Sequence, residues 1–190
     1  MDITTYEFWS MVHGMGFGGL YLLGCTGALV EIFLRYAPDV AGANQGADER
    51  FVRIYLGSMT ALAWLAVLSG TYIVYPWYRA VPLVGTTDLS GYPQRLLLAS
   101  PATAGWHFIG MEWKEHVAWL TPIAVTMSLV VCLRYGKDLR SLPLLRRMVL
   151  GFMLASMAAA GISGFWGAEI TIHAPVRGGS TLRTADGGSK

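Results

Sequence analysis

The segment FWSMVHGMGFGGLYLLGCTGALVEIFLRY, residues 8–36, decides the fold class of this chain. Its charged residues are Glu31 and Arg35, both near its end. An α-helix rises about 1.5 Å per residue, so about 20 apolar residues cross the roughly 30 Å hydrocarbon core of a bilayer. The segment is long enough to do so, and it is about twice as long as the apolar core of a signal peptide. We therefore predict a retained membrane-spanning helix.

Three further segments, at about residues 54–78, 106–133 and 148–173, are also long and apolar enough to span a bilayer. They show no period-two alternation of the kind found in membrane barrels, and lipid offers no partner for open backbone groups. The predicted fold is therefore all-α, a bundle of four transmembrane helices within residues 1–175. An outer loop at 79–105 and an extramembrane C-terminal tail at 176–190 complete it.

The composition excludes several classes of protein. Of the 190 residues, 54% are hydrophobic and 14% are charged, whereas soluble domains carry about 25% charged residues. The net charge of +2 is too small to indicate a nucleic-acid partner, so the predicted environment is the lipid bilayer. Cys25 and Cys132 lie far apart in apolar runs, without the spacing of a zinc site or of a covalently attached c-type haem.

The basic residues predict the orientation. They concentrate in the loops that join the first span to the second and the third to the fourth, and such loops face the cytoplasm. We predict a multi-pass protein of the bacterial inner (plasma) membrane with both termini on the periplasmic or extracellular side. The loop residues concerned are Arg35, Arg50, Arg53, Arg134, Lys137, Arg140, Arg146 and Arg147.

The four histidines carry the functional prediction, because all of them fall on the predicted outer side. An ionisable residue inside a span costs kilocalories and is therefore a functional candidate. Haem b needs one or two axial imidazoles from facing helices. We predict one haem b (iron) near the outer face, with His13 and His116 as axial ligands because they lie on different helices at similar depth. His173 and His107 are the reserve ligands.

Other residues support this predicted site. Gly16 and its neighbouring glycines leave room for a macrocycle, and Arg79 and Arg95 can pair with haem propionates. Glu112 and Glu169 each precede a histidine by four positions, which places carboxylate and imidazole on one helix face, where the carboxylate can fix the tautomer. Either Glu112 or Glu115 could accept a proton from a quinol.

These residues predict a b-type cytochrome, an electron-transfer subunit of a membrane oxidoreductase complex rather than an enzyme alone. It would carry electrons between quinol, or a neighbouring membrane redox subunit, and a periplasmic carrier such as a c-type cytochrome. Quinone is the second predicted cofactor. The inner half of the bilayer holds no histidine, so the chain cannot stack two haems across the membrane. The layout is similar to that of four-helix haem-bearing anchor subunits, a similarity of architecture alone.

Two alternatives remain open. A non-haem metal site could form if the carboxylates and imidazoles converged, although di-iron bundles space Glu and His three apart whereas this chain spaces them four apart. The residues of that site would be His13, Glu112, His116, Glu169 and His173. Alternatively, the small size and the lack of a soluble domain suit a non-catalytic scaffold or anchor subunit of a larger membrane complex.

Overall fold

The computed structural model describes residues 3–36 and 49–182, and within them the prediction of an all-helical chain is confirmed. Four helices are long and apolar enough to cross a membrane, and we refer to them as the first to the fourth span. Their bounds are Thr5–Tyr36, Arg50–Tyr78, Pro101–Tyr135 and Pro143–His173. Large apolar side chains remain exposed along all four, as expected of surfaces that meet lipid.

The spans alternate in direction, which gives the bundle two ends. The end at which the first span begins and the fourth span ends is called the histidine end, and the opposite one the arginine end. Three of the spans change helical geometry along their length, whereas the fourth is a single α-helix, Pro143–His173. The first comprises Thr5–Met11, Val12–Gly19 and Leu20–Tyr36; the second comprises Glu49–Ser69, Gly70–Val74 and Tyr75–Tyr78; the third comprises Pro101–Gly105, Trp106–Met111, Glu112–His116, Val117–Trp119 and Leu120–Tyr135.

The connection between the second and third spans folds over the histidine end. A short helix, Pro93–Leu98, lies in it. Its residue Leu97 is fully buried in a small core with residues from three spans and the chain beyond them, namely Tyr78, Met111, Ile170 and Ala174. The third span begins at Pro101, earlier than predicted, because Ser100 caps it and proline suits the first helical position. A turn Gly136–Asp138 joins the third span to the fourth.

The two chain ends meet at the histidine end. Strand Ile3–Thr4 pairs antiparallel with strand Thr181–Leu182. Thr4 also caps the first span, since its hydroxyl accepts from the backbone N–H of Glu7 and the Glu7 carboxylate accepts in return. The first part of the predicted tail therefore belongs to the folded structure, whereas residues 183–190 lie outside the described residues.

The main core is held together by a buried hydrogen-bonded group of three residues from three spans. The Ser156 hydroxyl donates to the Thr121 carbonyl oxygen at 2.7 Å. Because the Ser156 hydroxyl proton is used in this bond, the Tyr21 hydroxyl must be the donor in its own bond to the Ser156 hydroxyl oxygen. Ser156 is fully buried and Tyr21 is 1% exposed, so both bonds are shielded from water.

This arrangement predicts unequal effects of two conservative substitutions. Ser156→Ala leaves the Tyr21 hydroxyl beside only the thiol of Cys25, a weak partner, and is expected to cost about 1–3 kcal/mol. Tyr21→Phe leaves the bond between Ser156 and Thr121 intact and is expected to cost about 1 kcal/mol or less. Unfolding of the purified variants in mixed micelles measures both values, and a larger loss for Tyr21→Phe would contradict the assignment of donors.

Candidate functional site

Three of the spans depart from regular α-helix near the histidine end. The segments Val12–Gly19, Gly70–Val74 and Trp106–Met111 are π-helical, with the wider turn that is frequent at functional sites. In the second span the cause is Pro76, which has no N–H and whose ring would clash with the carbonyl four residues earlier. In the first span the cause is a glycine-rich sequence, which offers little resistance to a change of helical pitch.

His13 lies in the π-helical turn of the first span, and its ring packs against the second span. Its Nδ1 lies 2.8 Å from the carbonyl oxygen of Ala66 and 3.2 Å from the hydroxyl of Ser69. A carbonyl oxygen only accepts hydrogen bonds, so Nδ1 carries the proton and donates it to Ala66. The lone pair of the neutral ring is consequently on Nε2.

The absence of a side chain at Gly70 makes this position of the ring possible. A Cβ atom at Gly70 would lie 2.6 Å from Cε1 of His13 and 3.2 Å from each ring nitrogen. Real Cβ atoms essentially never approach that closely, so any larger residue would displace the imidazole. Gly70 therefore defines where His13 sits.

Lys114 of the third span is directed at the fourth span. Its ammonium and the His13 ring repel each other electrostatically when both are charged, although they belong to different spans. A Cβ atom at Gly167 of the fourth span would lie 2.8 Å from Nζ of Lys114, so this glycine makes room for the ammonium group. Among the residues that the structure describes, Lys114 forms no hydrogen bond and no ion pair.

His116 is directed away from this region. Its side chain is 69% exposed, and its Nδ1 lies 3.0 Å from the carbonyl oxygen of Glu112 on its own helix. Successive helical residues are about 100° apart, so His116 lies about 200° around the helix from Lys114. Within the described part of the chain, no hydrogen bond or ring contact joins His116 to His13, the other predicted axial ligand. The predicted carboxylate neighbour, Glu112, is exposed beside it at 3.4 Å.

His173 and His107, the two reserve ligands, occupy separate aromatic surroundings. His173 stacks on Trp106 with ring centroids 5.3 Å apart, and its Nδ1 lies 2.8 Å from the Glu169 carbonyl oxygen. The Glu169 carboxylate is 3.9 Å from the same nitrogen. His107 forms a 2.7 Å hydrogen bond with the hydroxyl of Tyr78.

The two predicted propionate partners lie at the surface. Arg79 donates to the hydroxyl of Tyr75 at 2.9 Å, and this hydrogen bond raises the pKa of the guanidinium. Arg95 is exposed on the short outer helix. Glu115 interacts with the same Tyr75 hydroxyl, so this carboxylate, unlike that of Glu112, belongs to a polar group linking the second and third spans.

Gly16 lies in the same π-helical turn as His13. The nearest atom to a Cβ atom placed there would be Cγ1 of Val12, at 3.9 Å. Space is therefore open beside the first span at this position, as the prediction of room for a macrocycle requires. Among the described residues, no contact identifies Gly16 as part of a site.

The non-haem alternative requires five carboxylate and imidazole side chains to converge. In residues 3–36 and 49–182, no group of three or more His, Cys, Asp or Glu side chains is placed so that it could hold a metal ion. The four-residue spacing instead places each of Glu112 and Glu169 next to its own histidine, on two different spans.

Sequence reasoning missed Lys114 and Gly70. The argument that singled out the histidines also applies to Lys114, because placing a lysine side chain within a membrane span costs free energy for the same reason. Gly70 gives no such signal, since glycines in spans serve ordinary helix packing as well.

Comparison with protein-family models, with curated proteins and with solved structures gives no significant match to this chain.

Proposed function

We propose that this chain is the b-type cytochrome subunit of a membrane oxidoreductase complex, with one haem b at the histidine end and His13 as its axial ligand. The observation that carries the proposal is the state of the His13 ring. Its Nδ1–H is fixed by the Ala66 carbonyl oxygen, and this leaves the Nε2 lone pair as the ligand. Histidines that bind metals commonly donate their other ring N–H to a carbonyl or carboxylate in this way.

Two further observations at the histidine end support the proposal. Gly70 and Gly167 make room for the His13 ring and for the Lys114 ammonium, respectively, so the positions of both side chains are set by the packing of the spans. The indole N–H groups of Trp113 and Trp166 are buried, and within the described residues they have no acceptor. When bound, haem b would supply a one-electron redox centre. The chain itself would orient the imidazole and exclude water.

His116 plays a different part in this proposal from the one its sequence position suggests. Because it faces outward, it is not the partner of His13 across one iron within the bundle. Together with Glu112 it presents an imidazole and a carboxylate at the surface of the third span, where a neighbouring redox subunit would contact the chain.

The remaining part of the proposed function concerns electron donors and acceptors. Quinol, or a partner redox subunit, would reduce the haem, and a periplasmic carrier such as a c-type cytochrome would oxidise it. Glu115 is the better placed of the two candidate proton acceptors. It interacts with Tyr75, whose hydroxyl also accepts from Arg79 at the surface. Glu115 would accept the proton that quinol releases at the histidine end.

We further propose that the protein resides in the bacterial inner membrane with both termini on the periplasmic side. A cysteine introduced as Ser180→Cys tests this, because Ser180 is exposed while the native Cys25 and Cys132 are buried. A membrane-impermeant maleimide is expected to label this variant in intact spheroplasts and to leave the wild type unlabelled. Labelling only after the cells are broken would reverse the orientation.

The proposed function is tested by the absorbance spectrum of the purified protein. A reduced-minus-oxidised difference spectrum is expected to show the sharp alpha and Soret bands of haem b, with one haem per chain by pyridine haemochrome assay. A protein purified from haem-replete cells without these bands would contradict the proposal and favour the scaffold alternative. Iron in place of haem, by elemental analysis, would favour the non-haem alternative.

A further inference from the structure

A groove of about 390 Å³ opens at the arginine end, where the third span ends and the fourth begins. Its lining is almost wholly apolar, and Leu144, one of the lining residues, is 72% exposed. The groove therefore presents apolar side chains to the surroundings at the level where two spans end. The lining residues come from the third span, the connection and the start of the fourth span, namely Tyr135, Leu142, Pro143, Leu144, Leu145 and Met148.

The chain around this groove is strongly basic. Residues 133–148 contain five basic residues and one acidic residue. Arg134 precedes Tyr135 and Arg147 precedes Met148, so the Cα atom of each arginine lies about 3.8 Å from that of a lining residue. Both arginines are exposed, and within residues 3–36 and 49–182 neither forms an ion pair or a side-chain hydrogen bond. Two uncompensated cations thus flank the groove.

The start of the fourth span adds to this positive potential. The helix begins at Pro143, and among the described residues no side chain caps it. The first N–H groups of a helix have no acceptor within the helix, and the helix dipole favours negative charge at that end. Leu144 and Leu145 are in this first turn, and in the described part of the chain their backbone N–H groups have no acceptor. Their side chains line the groove, so these donors lie beside it.

The apolar lining and the positive rim together specify an amphiphile. Its apolar part must cover the leucines, and its anionic part must offer acceptor oxygens to guanidinium and backbone N–H groups at the end of two spans. An anionic phospholipid meets both requirements, since basic pockets between spans are typical sites for its headgroup. Arg146 is not available to it in the same way, because its guanidinium donates to the carbonyl oxygen of Tyr36.

We propose that this groove binds an anionic phospholipid. One acyl chain lies against Leu142, Leu144 and Met148, and the phosphate lies between Arg134 and Arg147. The lipid covers apolar surface that the connection leaves open and neutralises the two cations. The inference goes beyond the proposed function and does not depend on a bound haem.

The test measures the lipid that the purified full chain retains in micelles with equal amounts of phosphatidylglycerol and phosphatidylcholine. Native mass spectrometry is expected to show phosphatidylglycerol bound in preference. Arg134→Gln combined with Arg147→Gln is expected to lower the phosphatidylglycerol affinity on the order of tenfold, because two headgroup contacts are lost. The matched control, Arg95→Gln with Arg177→Gln, removes two exposed cations at the histidine end and is expected to leave the affinity unchanged.

A further variant tests the groove itself. Leu144→Glu places a carboxylate among the apolar lining residues, where it excludes the acyl chain and repels the phosphate. An acidic residue in the first turn suits a helix, so the variant is expected to remain helical and monodisperse while losing phosphatidylglycerol. Leu83→Glu makes the same change at a leucine of the outer loop that is 81% exposed, and it is expected to keep the lipid.

Three results would overturn the proposal. Equal retention of phosphatidylcholine would show that the groove meets lipid without selecting it. Equal loss of phosphatidylglycerol in both double arginine variants would show a response to net charge alone. Displacement of the lipid by inorganic phosphate would show that the apolar groove contributes nothing.

Discussion

Replacing His13 with alanine is expected to abolish the haem bands of the purified protein. The variant removes the imidazole whose Nε2 we propose as the axial ligand, and nothing at that position of the first span can replace it. The hydrogen bond from Nδ1 to Ala66 is lost as well, but a single hydrogen bond is worth only about 1 kcal/mol, so the bundle should still fold. The difference spectrum, normalised to protein, measures the effect.

The matched control is His116→Ala, which removes an exposed imidazole from the third span. Sequence position alone predicts that both variants lose haem, whereas the geometry predicts that the isolated His116→Ala chain keeps its bands. Retention of full haem by His13→Ala would refute the ligand assignment. Loss of haem in both variants would show that the third span turns its outward face to the iron in the loaded protein.

The second large effect is expected from Gly70→Ala, a change of one methyl group at a position without ionisable chemistry. The new Cβ would lie 2.6 Å from Cε1 of His13, so the ring must leave its place on the second span. Its hydrogen bond to Ala66 is then broken and Nε2 is turned away from its former direction. We expect haem occupancy to fall at least tenfold, with a loss of roughly 1–3 kcal/mol in stability from overpacking.

Gly57→Ala supplies the control for this prediction, because it makes the same substitution on the same span. A Cβ at Gly57 meets nothing within 4 Å. Alanine is the better helix former by about 0.8–1.0 kcal/mol, so this variant should be at least as stable as the wild type and should keep its haem. Equal haem content in Gly57→Ala and Gly70→Ala would refute the role given to the ring position.

The four spans were predictable because a membrane imposes a simple length and hydropathy rule on helices. The structure confirms the number of such helices and their approximate places, each helix beginning three to five residues earlier than predicted. Pro76 and Pro122 could also have been read as sites of local irregularity. The structure has a π-helical turn just before the first of them and a 3₁₀ turn, Val117–Trp119, just before the second.

The sequence did not predict in the same way which of the candidate ligands point toward the interior of the bundle. Two positions along a helix change the direction of a side chain by about 200°, so depth in the membrane does not indicate which residue faces the interior. Lys114 and His116 have nearly the same depth, yet Lys114 packs against Gly167 and His116 is exposed. The sequence contains no periodic signal that separates them, because this face of the third span is irregular and mixed in polarity.

The most direct test of the account is a density map of the purified, reduced protein in its native complex. We expect an iron bonded to Nε2 of His13, while Nδ1 still donates to the carbonyl oxygen of Ala66. A map in which the lone pair of that ring meets only protein or lipid would contradict the account, whatever cofactors the rest of the complex contains.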